Sequence, residues 1–380
     1  MKVGIITFHA SHNCGSMLQA FALTTVLKQM NIPCEIIDFA NEGSRAMYNS
    51  IPPIHPFKRG VRGRFSKWWK TLPYVSLLDK QKEFYIDFMT RFLPLTKTEY
   101  KSNADLQKAH FDYTHYICGS DQVWNISCGD ADDSYFLNFV KGNAHKIAYA
   151  CSLGANVIKE KAKDVDVYKK YLATFEALSV REKNAVKQIE DLSSKHVELL
   201  VDPTLLLNQL DYEKLLNVGD RLIKEDYIFY YAFNYTTEVN DTVMEISKRY
   251  GLPVYIIDAR AWGPQGKRKE GLQLFDKSGP IVFLNLMKYA KLSLTTSFHG
   301  TVFSVIFGKP FWFINSSMHN SMDDRASSLL EILGLSDHLI YGNDLLCNRD
   351  VFESIDYASC YERIEKEKKK AINYLKKSLC

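Results

Sequence analysis

The chain of 380 residues lacks the signatures that would place it in several large classes at once. It has no apolar run near the roughly eighteen residues that a membrane span needs, and "MKVGIITFHASH" turns polar too early for a signal peptide. A cytoplasmic protein is expected. No G-x-G-x-x-G follows the first apolar segment, no G-x-x-x-x-G-K-[ST] occurs, and no G-x-S-x-G is present. Dinucleotide enzymes, P-loop NTPases and elbow-type serine hydrolases are thereby disfavoured. The net charge is only +4, which is not the footprint of a dedicated nucleic-acid binder, so no nucleic-acid partner is expected.

The 8 cysteines form no C-x-x-C pair, and several sit inside apolar runs, so they read as reduced, mostly buried thiols. His9, His12 and Cys14 lack a fourth partner and the usual zinc spacing; no metal or cofactor is expected.

What the chain does have is alternation. "KVGIITF", a helical pattern over "GSMLQAFALTTVLKQM" and then "CEIIDF" make a βαβ unit. Further apolar runs at "THYICG", "KIAYACS", "ALSVR" and "VELLVD" predict a parallel sheet covered on both faces. The pattern restarts with "YIFYYAF", a helix over Val239 to Tyr250, "PVYIIDA", and the strand–helix–strand block Leu292 to Phe313. The expectation is α/β, with Rossmann-like domains at 1–205 and 206–345. A helical segment at 346–380 is expected to pack back across their junction. Two such domains place a ligand in the central cleft between them, at the carboxyl ends of the strands.

Four strand ends carry polar or ionisable groups: Asn13 to Gln19, "CGSDQVWN" from Cys118 to Asn125, Arg181 in "SVREK", and His299 in "SFHGT". Turn and capping chemistry alone can account for Asn13 and Asp121. It does not require Arg181 or His299. A helix starting near Phe298 would aim the N–H groups of Gly300, Thr301 and their neighbours at the cleft, a setting that suits phosphate.

In order along the chain, "NCGSMLQAFAL", "GSDQVWN", "SVRE", "VDPT", "SFHGTVFSVIFGKPF" and "DDRASSLLEILGL" resemble the bacterial polysaccharide pyruvyl transferases. That resemblance implies a GT-B-like fold. It also implies transfer of pyruvate from phosphoenolpyruvate, as co-substrate, onto two hydroxyls of a sugar as a cyclic ketal, with a lipid-linked acceptor and a role in cell-surface polysaccharide assembly. The family's active histidine and arginine fall on His299 and Arg181. Relatives commonly carry an acid where this chain has Thr296, so no acid beside the histidine follows from the resemblance.

The chemistry accounts for these residue types on its own terms. A donor with a carboxylate and a phosphate asks for cations and N–H donors, which Arg181, the helix start at Ser297, Gly300 and Thr301, and Arg325 would supply. Arg325 has a competing reading as the partner of Asp323 or Asp324. An imidazole, which ordinarily titrates near neutrality, suits the proton transfers expected of His299, against a capping or core role. Asn13, Gln19, Asp121, Gln122 and Asn125 suit sugar hydroxyls, while Trp124 reads first as core.

Lys58, Arg59, Arg62, Arg64, Lys67 and Lys70 lie among Phe57, Phe65, Trp68 and Trp69 with no acid between them. This segment, 57–69 at its centre, suits an anionic membrane surface, hence a peripheral station at the inner face, against a bland solvated loop. Two other functions stay open: a nucleotide-sugar-dependent GT-B glycosyltransferase, and a non-catalytic carbohydrate-binding subunit.

Overall fold

The computed structural model describes residues 1–51, 68–316, 323–341 and 349–379. Short apolar runs become strands, the central ones buried, and among the described residues every strand pairing in the two halves is parallel. In the first half these are β1 (Val3–Ile6), β2 (Cys34–Ile36), β3 (His115–Cys118), β4 (His145–Ala148), β5 (Leu178–Val180) and β6 (Val197–Leu199). The order is β2-β1-β3-β4; β5 and β6 pair with each other and join the sheet through bridges at Ile147–Ala177 and Cys151–Val180. The second half holds β7 (Ile228–Tyr231), β8 (Val254–Ile256), β9 (Gln273–Leu274), β10 (Leu292–Thr295), β11 (Phe311–Asn315) and β12 (Leu339–Tyr341), in the order β12-β11-β10-β7-β8-β9. Each sheet reverses its direction of growth once, between β1 and β3 and between β10 and β7. Such points leave a crevice at the strands' carboxyl ends.

The helices that matter for the site are α1 (Cys14–Gln29), α2 (Glu42–Tyr48), α3 (Val75–Phe92), α4 (Lys183–Ser193), α5 (Phe298–Ile306), α6 (Arg325–Leu333) and α7 (Tyr357–Leu379). Apolar nearly all round, α1 is buried over most of its length. It lies in the largest apolar cluster, whose members come from both halves: Val3, Ile5 and Leu18 on one side, Phe229, Phe283 and Phe303 on the other. This shared core is what brings the two crevices together.

Two helices also tie the halves. On α3, Gln81 exchanges hydrogen bonds with the Ile257 carbonyl and the Ala259 N–H (3.0 and 3.2 Å), and the Tyr85 hydroxyl meets Ser278 Oγ at 2.9 Å. On α7, Lys370 and Tyr374 donate to the carbonyls of Leu199 and Ala148, both at 2.7 Å, while Tyr361 donates to Val305 at 3.2 Å. The architecture is α/β, with two Rossmann-like sheets in a GT-B-like arrangement around a cleft.

Candidate functional site

β10 passes into α5 through Thr295, Thr296 and Ser297. Thr295 Oγ1 donates to the Tyr231 carbonyl (2.6 Å) and accepts the Ser297 N–H (2.9 Å), fixing the turn. A Cβ at Gly300 would lie 2.1 Å from Thr295 Oγ1, so only glycine lets the helix begin this close to its strand. Ser297 caps the helix: its Oγ accepts from Gly300 N at 3.4 Å, and its carbonyl accepts from Thr301 N at 3.0 Å. The expected presentation of Gly300 and Thr301 to an anion is therefore corrected. Their N–H groups serve the cap and the helix ladder, and Thr301 is fully buried. The N–H groups of Phe298 and His299, in the first turn, are those without a place in the ladder.

His299 is 6% exposed and lines the cleft. Its ring rests on α1, where a Cβ at Gly15 would come within 2.1 Å of Nδ1. On its other side Nε2 lies 3.6 Å from Asp202 Oδ2, within ion-pair reach but with no hydrogen-bond partner. Asp202 follows β6 and is the acid of the "VDPT" motif. Thus the acid not available at Thr296 is supplied from the opposite half of the molecule.

Arg181, at the end of β5, is 3% exposed. Its guanidinium holds Asp202 Oδ2 at 2.6 Å and Asp121 Oδ1 at 3.1 Å, stands 3.9 Å from Glu182 Oε2, and covers the Phe298 ring at 4.4 Å. The reading of Arg181 as a free donor-binding cation at the cleft is corrected: two carboxylates already meet its charge, and it lies beneath the wall rather than on it. Burial pushes Asp202 and Asp121 upward, but for Asp202 the charges of His299 and Arg181 together with Thr204, and for Asp121 those same charges with Ser16, outweigh it and hold both below the usual carboxylate range. Glu182 differs. Fully buried, it is pushed up to about 7, because Arg181 does not offset its desolvation.

Around this cluster, Ser120 Oγ donates to Asp202 Oδ2 (3.1 Å), and Ser16 Oγ donates to Asp121 Oδ2. Gln19 is wholly buried; its amide donates to Thr7 Oγ1 and the Ser16 carbonyl, and its carbonyl oxygen accepts from Ser120 N. As an acceptor-binding residue it is corrected, since its side chain braces the loops from inside. Asp121 sits at φ +74°, a left-handed conformation disfavoured for a side chain with a Cβ, which turns its carboxylate toward Arg181 while leaving the residue on the cleft wall.

Asn13, Gln122 and Asn125 also line the cleft. Asn13 caps α1, its Oδ1 accepting from Gly15 N and Ser16 N at 2.9 and 3.2 Å, and Asn125 donates to Gln122 Oε1 at 3.0 Å. Trp124 is fully buried, donating to the Tyr135 carbonyl, and is a core residue. Arg325 lines the cleft but forms a bidentate pair with Asp323, both contacts at 2.6 Å.

The residues not singled out from sequence are Asp202, Asp130, Tyr48, Cys128 and Phe233, the last four all on the cleft wall. Phe233 is 72% exposed there. Only Asp202 had a signal, in its motif; Tyr48 ends α2, and Cys128, Asp130 and Phe233 stand in loops whose partners are distant in sequence. His9 bonds Asp38 at 3.0 Å and His12 stacks on Tyr85, and among the described residues no group is arranged to hold a metal. Of the basic segment 57–69, residues 57–67 lie outside the described residues.

The cleft has a volume of about 630 Å³ and draws its walls from both halves, enough for a small donor beside a sugar ring. The model of the polysaccharide pyruvyl transferase family matches residues 13–318, a span that includes every strand end described above except those of β1 and β12. The chain belongs to the polysaccharide pyruvyl transferase family. No curated protein matches it. Among solved structures it is similar to the S. aureus MnaA-UDP co-structure (11% identity, 98% of this chain and 97% of that one, TM-score 0.51). It is also similar to the UDP-GlcNAc 2-epimerase from Neisseria meningitidis bound to UDP-GlcNAc (9% identity, 99% and 100%, TM-score 0.50). The Methanocaldococcus jannaschii UDP-GlcNAc 2-epimerase in complex with UDP-GlcNAc and UDP compares likewise (12% identity, 97% and 92%, TM-score 0.50). At such identities the likeness is one of fold. As a member of this family the chain is a transferase of polysaccharide biosynthesis, and among its described residues no helix is long and apolar enough to cross a membrane.

Proposed function

We propose that this pyruvyl transferase takes its pyruvyl group from phosphoenolpyruvate and sets it as a cyclic ketal on two hydroxyls of a lipid-linked sugar. The observation that carries the reading is the pairing of His299 with Asp202 beside the open first turn of α5, in a cleft built from both halves. The donor's phosphate suits the N–H groups of Phe298 and His299, with Ser297 and Arg325 at hand. With Arg181, a protonated His299 balances Asp121 and Asp202, so the cluster accommodates an imidazolium. That proton goes to the donor's methylene carbon, making it a methyl group, as a sugar oxygen bonds the adjacent carbon and loses its own proton. Phosphate leaves with the C–O electron pair, the second hydroxyl closes the ring, and its proton returns the imidazole to its starting state.

The sugar side falls to Asn13, Asp121, Gln122 and Asn125. A lipid-linked acceptor would bring the enzyme to an anionic membrane surface on the cytoplasmic side through 57–69, whose last residue, Trp69, is 59% exposed. The test is turnover: phosphoenolpyruvate supplied with a panel of lipid-linked sugars should release phosphate and give pyruvylated product. Sugar transfer from a nucleotide donor, with no phosphate released from phosphoenolpyruvate across that panel, would put the glycosyltransferase reading in its place. No turnover with any donor would favour the binding subunit.

A further inference from the structure

The proton of the attacking sugar hydroxyl needs a destination, and the wall opposite α5 holds a carboxylate that none of the preceding chemistry uses. Asp130 is 6% exposed and lines the cleft with Tyr48 and Cys128. Its turn is pinned: Asn41 Nδ2 donates to the carbonyls of Asp130 and Ala131 at 3.0 and 3.3 Å, while Asn41 Oδ1 caps α2 through Ser44 N at 2.8 Å. Gly43 of α2 lies so close that a Cβ there would meet the Gly129 carbonyl oxygen at 2.0 Å. The side chain is thus presented from a braced loop, not a loose one.

Its surroundings set it apart from Asp121 and Asp202, which Arg181 satisfies. Among the described residues, the ionisable groups facing Asp130 are Cys128 and Asp121, with Tyr48 and Tyr135 beside them, and none of these is a cation. Burial raises its titration above the ordinary carboxylate range, Asp121 adding to the effect and Cys128 opposing it. A buried carboxylate without a cation is costly to keep and is a stronger base than an exposed one.

We propose that Asp130 accepts a hydrogen bond from the first sugar hydroxyl to attack and takes its proton. The inference rests on the pyruvyl-transfer reading and deepens it. The two walls then divide the work. As the sugar O–H bond breaks toward Asp130, its oxygen bonds the donor's phosphate-bearing carbon, and His299 protonates the methylene carbon. The C–O bond to phosphate then breaks, the second hydroxyl closes the ketal and passes its proton to His299, and Asp130 returns its proton to the departing phosphate. Of the two hydroxyl protons, one is thereby matched by the new methyl hydrogen and one leaves with phosphate.

The experiment compares wild type with Asp130→Asn and Asp130→Glu from pH 4 to 9, with melting temperature measured alongside. A general base contributes about 10²- to 10⁴-fold, so Asp130→Asn should lower kcat at least about 100-fold while KM for phosphoenolpyruvate stays within about twofold. The acid limb of kcat/KM, which rises as Asp130 loses its proton, should vanish in Asp130→Asn and shift in Asp130→Glu. An Asp130→Asn enzyme within about threefold of wild type at every pH overturns the proposal. If Asp130→Asn does not fold, a folded Asp130→Glu with an unmoved acid limb overturns it, and a displaced limb supports it. Should wild type release no phosphate from phosphoenolpyruvate, the donor reading falls separately. The Asp130 assignment is then read from affinity for the methyl β-pyranosides of glucose, galactose and mannose: weakening of several-fold in Asp130→Asn upholds hydroxyl binding, and unchanged affinity overturns it.

Discussion

His299 Nε2 stands 3.6 Å from Asp202 Oδ2, and the two residues arrive from different sheets: one opens the helix after β10, the other follows β6. Because Asp202 also holds Arg181 at 2.6 Å, one carboxylate couples the histidine to the buried arginine and joins the two halves at the point of chemistry.

Removing either end of that contact should cost turnover in different ways. His299→Ala is expected to lower kcat by about 10²- to 10⁴-fold with little change in melting temperature, since the ring lies at the cleft wall. Asp202→Asn should lower both, because breaking a buried ion pair typically costs about 3–5 kcal/mol. Asp202's folded titration is depressed, so its contribution is present above the ordinary carboxylate value and lost as pH falls below it. The difference in melting temperature between wild type and Asp202→Asn should therefore narrow from pH 5 to pH 3. A gap that stays constant would show that the ion pair is not its source.

Glu182 should behave in the opposite sense. Its carboxyl is raised to about 7 by burial, so the folded state binds the proton more tightly and stability falls as pH rises from the ordinary glutamate range through 7. Glu182→Gln keeps an oxygen for the Leu153 N–H, which Glu182 Oε1 accepts at 2.6 Å. It should melt a few degrees above wild type at pH 8, with the advantage fading near pH 4.5. Thermal melts across that range decide it.

Gly15 tests how closely α1 must approach. Gly15→Ala would place a methyl group 2.1 Å from His299 Nδ1, and displacing the ring by about 1 Å is expected to cost on the order of 100-fold in rate. A Gly15→Ala enzyme with wild-type kcat would show that the ring's position against α1 is not critical.

The two arginines should separate cleanly. Arg181→Ala leaves Asp121 and Asp202 buried without their cation and should lower melting temperature and rate together. Arg325→Ala loses a partly exposed pair with Asp323 and should leave melting nearly unchanged while raising KM for phosphoenolpyruvate, by about tenfold if a charge-assisted bond to phosphate worth roughly 1.5 kcal/mol is lost. Equal effects of both variants on melting would contradict the placement of Arg181 beneath the wall.

Vesicle binding checks the basic segment. Binding to anionic vesicles should exceed that to neutral ones and weaken with salt, since exposed charges are screened over about 8 Å at physiological ionic strength. Indifference to lipid charge would remove the membrane role.

The alternation of apolar runs and helical patterns was enough, without coordinates, to predict two parallel-sheet halves, because strand burial on both faces and helix amphipathicity are local properties of the chain. The same holds for His299 and Arg181, which stand at strand ends where turn chemistry does not ask for them. What the residues at those ends do to one another was beyond reach of the pattern. Whether Arg181 is a free cation or a neutralised one depends on Asp121 and Asp202, separated from it by 60 and 21 positions. Gln19 reads as polar and available, yet is sealed between loops that meet only in three dimensions. Asp130 and Phe233 lie in loops with no periodicity to mark them, and they join the site only because a shared core around α1 turns two separate crevices toward each other. Local sequence determines which segments become strands and which residues stand at their ends; charge balance, burial and the company each side chain keeps are set by contacts between distant segments, and these the tertiary structure alone decides.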